Sequence, residues 1–356
     1  VRMTMKNPRT LNVAIIGCGV IAPAHVESYR LLPDVHVLWA CDLIESKARA
    51  LAEKYTIANV TTDYRDLLRD ARVDCVSVCT DHASHAPIGA AALRAGKHVL
   101  CEKALAANTA GLRRMFRAHA AQPQLVFSGV FQHRFDPTAR YLKQLIDEGV
   151  FGTILTASVH MRCLRTHEYY MADAWRGTWA KEGGAVLINQ AIHFIDMLVW
   201  VMGGVAALSG TFANLTHNGV METEDTAVAS LRFRNGALGV IDATCSSNVN
   251  WEHTIAIHGS HGTLELRNDK PLTLSFSDPA LTARVTEAFA SGLDSTSISA
   301  AKSYYGSSHP AQIADFVAAI RENRPPFVTA ASARHAVDVV LAIYKSHRLR
   351  RWVRLA

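Results

Sequence analysis

A chain of 356 residues, 49% of them hydrophobic, is long enough for two domains and can bury a large core. It has no polar low-complexity tract, no apolar run long enough to cross a bilayer and no cysteine pair at zinc spacing, so the expected product is a globular protein without membrane segments or a structural zinc. The net charge of +6 is modest and no nucleic-acid module accompanies it; it suits a ligand that carries phosphates.

The first stretch opens at Leu11, and its run of β-formers, Val13 to Ile16, feeds directly into Gly17-Cys-Gly19-Val20-Ile21-Ala22. Helical spacing begins just after it, with Ala22, His25 or Val26, Tyr29 and Leu32 recurring at three- and four-residue steps. Gly17 permits a tight turn and Gly19 lets the backbone approach a pyrophosphate. Val20 and Ile21 complete the loop, and the helix start offers bare N–H groups to an anion. The same pattern also fits a tight strand–helix turn with no ligand. Asp42 closes the next apolar strand, Val35–Cys41, at the place where the ribose of a dinucleotide lies. A carboxylate there accepts from the ribose diol and repels a 2′-phosphate, and Leu43 and Ile44 supply no compensating arginine, so NAD is expected over NADP. Asp42 also suits an N-cap for the helix starting near Glu45.

Strand–helix alternation continues: a helix at 45–55, a strand at 59–61, a helix at 63–68 and a buried strand at 74–79. That strand ends in Thr80-Asp-His82-Ala-Ser-His85, which opens a helix to Arg94. The strand at 96–101 ends in Glu102-Lys103-Ala104, and a helix at 109–121 leads to a strand at 124–128. Repeated units of this length predict a doubly wound parallel sheet, with ligand groups gathered where strands end: the glycine turn, Asp42, Thr80 to His85, Glu102, Lys103 and Gln132. His82 and His85 lack carboxylates or cysteines at metal-binding spacing, so they are read as a helix start beside the cofactor and no metal is expected.

Beyond Phe135 the pattern changes. A helix to Glu148, a strand at 153–162, an irregular aromatic segment and an apolar helix at about 186–202 precede six β-rich segments between 205 and 276. Strands in hairpin-like succession predict a large, mostly antiparallel open sheet. The Ser- and Ala-rich stretch 282–308 is a lid, a loop or a partner contact. Helices at 309–322 and 332–347 close the chain, and the basic run 348–354 reads as a solvated edge with an apolar anchor. The seven cysteines are odd in number and scattered, and residues 3–9 lack the apolar core of a signal peptide; both point to the cytoplasm.

Four features occur in an order that resembles the Gfo/Idh/MocA oxidoreductases (glucose–fructose oxidoreductase, inositol dehydrogenase and rhizopine-catabolism enzymes). They are the glycine turn, Asp42, Cys101-Glu102-Lys103, and Glu182-Gly183-Gly184 leading to Asn189-Gln190-Ala-Ile-His193-Phe-Ile-Asp196. The likeness extends to His309–Phe316 and Leu341–Ser346, and so covers essentially the whole chain. It implies a Rossmann domain over residues 1–132 and a substrate-binding and oligomerisation domain over 133–356, with the last helix a candidate to pack back on the first domain. It also implies NAD(P)-dependent hydride transfer at a sugar or cyclitol carbon, and a homodimer or homotetramer built through the C-terminal sheet. Asn189-Gln190, Glu168-Tyr169-Tyr170 and Trp175-Arg176-Gly-Thr-Trp179 look like the UDP-N-acetylglucosaminuronate dehydrogenase branch, so a nucleotide-linked sugar stands among the possible substrates.

Oxidising a carbinol requires a group that takes the hydroxyl proton as hydride leaves. Lys103 is the first candidate, because a nicotinamide cation and partial desolvation would favour its neutral form. His193 is the second. Asn189 and His193 are four apart, so an α-helix would put them on one face, with Asp196 placed to orient His193. Tyr169, Tyr170 and Trp175 serve either as a loop pinned by buried rings or as a wall against the sugar, with Arg162 or Arg176 pairing a carboxylate or phosphate. Two departures stand out. Ala104 replaces the family's usual proline, so either a cis peptide persists without it or Lys103 shifts; and Asn189 replaces a frequent aspartate and cannot act as a base. Both keep a non-catalytic NAD-binding regulator or scaffold of the same fold as the alternative.

Overall fold

A computed structural model describes residues 10–291, 293 and 308–355. The chain divides into two compact units, one taking in 10–106, 110–130 and 309–330, the other 107–109, 131–291 and 331–355 with 293 and 308.

In the first unit, β1 (Leu11–Ile16), β2 (Val35–Cys41), β3 (Asn59–Thr61), β4 (Cys75–Val78), β5 (His98–Cys101) and β6 (Phe127–Gly129) form one sheet in the order β3-β2-β1-β4-β5-β6. Every pairing is parallel. The connections are α1 (Ala22–Arg30), α2 (Glu45–Tyr55), α3 (Tyr64–Arg69), α4 (His82–Arg94) and α5 (Thr109–Ala120). All four residues of β4 are buried, as expected for a strand covered on both faces. Strand order reverses between β1 and β4, which opens a crevice at their carboxyl ends. The later helix that joins this unit is α10 (His309–Glu322), not the chain's last helix. Ile313, Phe316 and Val317 of α10 share a core with Val26 and Tyr29 of α1, the three- and four-residue spacing of a helix's buried face.

The second unit contains α6 (Pro137–Asp147), β7 (Ile154–Leu164), α7 (His167–Met171), α8 (Ile192–Val201) and β8 (Val205–Ala213). It continues with β9 (Thr226–Phe233), β10 (Leu238–Thr244), β11 (Ser246–Gly259), β12 (Gly262–Arg267), β13 (Lys270–Phe276), α9 (Pro279–Ala290), α11 (Ala330–Leu349) and β14 (Val353–Arg354). Its eight strands run in the order β13-β12-β11-β7-β10-β9-β8-β14, antiparallel except where β10 pairs with β7. In β7, β9 and β10 buried and open residues alternate, so one face packs on α8 and the other is open. The basic run after α11 is not merely a solvated edge: Val353 and Arg354 pair with β8. The opening of the stretch expected as a lid or loop is helix α9, and residues 294–307 of it lie outside the described residues. Among the described residues no helix is long and apolar enough to cross a membrane.

The helix expected at 186–202 is two elements. Val186–Gln190 make a π-helical turn, closed by the Ala191 N–H on the Val186 carbonyl at 2.8 Å, and α8 starts only at Ile192. The cause is a buried carboxylate from elsewhere in the chain. Glu224 accepts the N–H groups of Ala185 (3.1 Å) and Leu187 (3.0 Å), and the hydroxyl of Tyr344 (2.7 Å). Glycine is obligatory just before this turn: Gly184 has φ +145° and a Cβ there would overlap the Tyr344 hydroxyl. Burial outweighs these hydrogen bonds and pushes the Glu224 carboxyl up from 4.5 to about 7.

That shift has a sign. The folded chain holds the Glu224 proton more tightly than the unfolded chain, so this residue's contribution to stability is greatest below about 4.5 and is lost as pH rises towards 7. In urea denaturation of wild type and Glu224→Gln, the stability advantage of wild type should shrink between these two pH values and then level off. A difference independent of pH would contradict the assignment.

Candidate active site

The glycine loop occupies the crevice of the parallel sheet. Gly17 has φ +95°, and a Cβ on it would lie 2.5 Å from the Cys79 carbonyl oxygen, so the loop can follow β4 this closely only as glycine. Around Gly19 a Cβ meets nothing within 4 Å, which leaves open space in front of the loop and the start of α1. Val20 is exposed and Ile21 half-buried at its tip. Asp42 sits at the end of β2, and its Oδ2 accepts the Cys18 N–H and its Oδ1 the Ile44 N–H, both at 2.8 Å. It does not cap α2, whose N-cap is Ile44. A carboxylate with one donor on each oxygen retains lone pairs for further donors, such as a ribose diol.

Thr80 and Asp81 follow β4, and Asp81 caps α4 by accepting from Ser84. His82 and His85 were expected to touch a cofactor. Both are buried, and the His85 ring lies between two carbonyl oxygens, Nδ1 2.7 Å from Ala104 and Nε2 3.0 Å from Thr80; burial pushes its pKa down, so the neutral ring has one hydrogen to give to one of them. It therefore joins the turn after β4 to the turn after β5. Lys103, half-buried, is in that second turn, and its peptide bond to Ala104 is cis, the first of the two outcomes the missing proline left open. Glu102 is buried: Oε1 faces His25 Nε2 at 2.9 Å, and Oε2 accepts the Lys103 N–H at 3.1 Å. Burial opposes its charge, but the hydrogen bond from His25, with His309 and Lys103 close by, holds the carboxyl down at about 2. Glu102 is thus spent on internal contacts. The sequence offered no signal for His25 beyond its place in the helical spacing.

In the second unit the buried His193 ring meets the edges of Phe131 at 6.1 Å and His133 at 5.2 Å, centroid to centroid. Asp196 does not orient His193. Arg134 takes both its oxygens, Nε to Oδ2 at 2.7 Å and Nη2 to Oδ1 at 2.6 Å, in an almost fully buried pair. Gln132 is buried in the short turn Gln132–Phe135 that also carries His133 and Arg134. His133 binds Asp136 through Nδ1 at 2.6 Å. Burial works against its charge, but Asp136, with Asp269 and Asp196, outweighs burial and raises the pKa. A second imidazole beside His193 was missed in the sequence, although four polar residues in a buried stretch after β6 were a usable signal.

The π-turn moves Asn189 off the regular α-helical spacing to His193, and Glu182 takes the Asn189 side-chain N–H on Oε1 and the Gly177 N–H on Oε2. Tyr170 is a buried anchor, its hydroxyl 3.2 Å from Cys245 Sγ. Tyr169 and Trp175 are half-buried and stack with the Arg176 guanidinium, which also bonds the Tyr169 hydroxyl and Asp173. Gln190 approaches the same hydroxyl at 3.4 Å. Arg162 is displaced from this group. On β7 it falls on the open face of the sheet, opposite the buried residues Met161 and Cys163, and pairs there with Asp242.

Comparisons with known proteins identify the family. Residues 11–130 match "Oxidoreductase family, NAD-binding Rossmann fold" and residues 143–355 match "Oxidoreductase family, C-terminal alpha/beta domain" of Gfo/Idh/MocA. The myo-inositol 2-dehydrogenase of Thermotoga maritima is 26% identical over 97% of this chain and 98% of its own. The D-glucoside 3-dehydrogenase of Escherichia coli is 31% identical over 67% of this chain and 71% of its own. Among solved structures, the WlbA dehydrogenase of Bordetella pertussis, in complex with NADH and UDP-GlcNAcA, superposes with a TM-score of 0.88 at 27% identity and 98% coverage of both chains. With both domains matched, the chain belongs to the Gfo/Idh/MocA family of NAD-binding oxidoreductases.

Proposed function

We propose that this chain is an NAD-dependent dehydrogenase of a sugar, nucleotide-sugar or cyclitol hydroxyl, with Lys103 as the principal proton acceptor and His193 as the second proton-handling group. The observation that carries the reading is the carboxyl edge of the parallel sheet, where the glycine loop, Asp42 and Lys103 follow β1, β2 and β5. The residues there fit a dinucleotide. Gly19 faces open space that a side chain would fill, and Asp42 keeps lone pairs for a ribose. NAD, when bound, supplies the hydride acceptor. Lys103 takes the hydroxyl proton, and the half-buried setting of its turn limits water around its stem. Tyr169, Trp175 and Arg176 recognise the substrate, Arg176 meeting its anionic part. The likeness to the WlbA dehydrogenase, whose complex holds UDP-GlcNAcA, makes a nucleotide-linked sugar acid the first substrate to try. Seven free thiols suit the cytoplasm.

NADH absorbance followed with NAD⁺ and a panel of UDP-sugars, free sugars and inositols tests the activity. Turnover on at least one is expected, and Lys103→Ala should lower kcat by about 10² to 10⁴. Full turnover by that variant would remove Lys103 from the role.

Asp42→Ala should weaken NADH binding roughly tenfold, the worth of a charge-assisted hydrogen bond, and narrow the preference for NADH over NADPH. Fluorescence titration with both cofactors measures this; an unchanged ratio would show that Asp42 does not read the ribose.

We also place a self-association surface on the open face of the second sheet, where Val228, Leu238 and Val240 are exposed. Light scattering should give a multiple of the 38.9 kDa chain mass, and Val240→Arg should shift it towards monomer. A monomeric wild type would refute the surface.

A further inference from the structure

We propose that His25 is a positioning residue that sets Lys103 through Glu102; the kinetic part of the argument rests on the reading of Lys103 above. Tyr29, Ser77, His25 and Glu102 form a buried chain of contacts that starts on α1, crosses β4 and ends after β5. The Tyr29 hydroxyl is 2.9 Å from Ser77 Oγ, Ser77 Oγ is 3.1 Å from His25 Nδ1, and His25 Nε2 is 2.9 Å from Glu102 Oε1. Tyr29, Ser77 and His25 are at most 0% exposed, so each polar atom must find its partner inside.

Donor counting then orders the chain. Tyr29 has one hydrogen and Ser77 as its acceptor. Ser77 therefore sends its own hydrogen to His25 Nδ1, which leaves the Nε2 hydrogen for Glu102. Every contact receives one hydrogen and none is left over. The second carboxylate oxygen is free to accept the Lys103 N–H at 3.1 Å. Two residues of the turn are thus held at opposite ends, the Lys103 N–H by Glu102 and the Ala104 carbonyl by His85 at 2.7 Å. A base whose backbone is held at both ends keeps one origin for its side chain, and a displacement of about 1 Å at such a group can cost on the order of 10²-fold in rate.

His25, Glu102 and His309 also bring three ligand atoms within 4.8 Å of one another, and His309 Nε2 lies 3.9 Å from Glu102 Oε1. A metal at that point would have to displace the hydrogen His25 gives to Glu102. The closed order from Tyr29 to Glu102 therefore favours the positioning role.

The test reads the Lys103 amide directly, by hydrogen exchange of the cofactor-free protein. The amide should be protected in wild type, exchange about tenfold faster in His25→Leu, and recover in His25→Gln, whose side-chain N–H can still reach Glu102. Ser77→Ala, a milder change that removes the hydrogen given to Nδ1, should move the amide in the same direction if His25→Leu does not fold. With an active substrate, His25→Leu should lower kcat by about 10- to 100-fold while NADH affinity stays within about threefold, and His25→Gln should restore most of it. Unchanged exchange, or equal damage in both His25 variants together with lost NADH binding, would overturn the proposal. Loss of protection on EDTA treatment would put a metal there and overturn it too. Because the exchange measurement needs no turnover, its failure is separate from a Lys103→Ala result that removes the proton acceptor.

Discussion

Several irregular turns of this protein are fastened by carboxylates that accept backbone N–H groups. Asp42 holds the glycine loop at Cys18, Glu102 holds Lys103, Glu182 holds Gly177, and Glu224 holds Ala185 and Leu187. Asp225 does the same for Leu215 and Thr216. A turn has no ladder partner for its N–H groups, and burying one unpaired costs about 1–3 kcal/mol. A carboxylate offers two oxygens with several lone pairs, so one side chain can satisfy two or three donors and fix their directions together. The acid is desolvated in return, and the balance falls differently from site to site: Glu224 is pushed up to about 7, whereas Glu102, with histidines and a lysine around it, is held at about 2.

The two sheets expose their polar groups by different physics. In the parallel sheet both faces are covered, so polar groups emerge at strand ends, and strand order reverses between β1 and β4. The second sheet covers one face with helix α8 and leaves the other open. Its polar and charged side chains, among them Arg162, Asp242 and His160, alternate on that face with exposed apolar residues such as Val228 and Val240. A face of this composition offers both area and charged pairs to a second surface.

Much of the fold was legible because its signals are local. The bounds of α2 and α10 follow from helical spacing, and the run of β-formers into Gly17-Cys-Gly19 marks β1 and the loop. The aspartate after β2 is found by counting. Less was legible where a local signal was absent. The run from Val186 to Met202 contains no glycine or proline, so nothing in it marks the π-turn that Glu224 imposes from nearly forty residues away. Helix α9 was hidden in a Ser- and Ala-rich stretch, and β14 in a basic run of which only two residues pair.

By itself the sequence determined the alternation of strands and helices, the glycine loop, the acid that follows β2 and the lysine that follows β5, because each depends on neighbours within about twenty residues. Tertiary structure decided the partners. Asp196 belongs to Arg134 and not to His193, Arg162 turns to the open face of its sheet, and His85 lies between two carbonyl oxygens. The reason is that a side chain's spacing along a helix or strand gives its direction relative to that element alone, while its partner depends on which element folds against it.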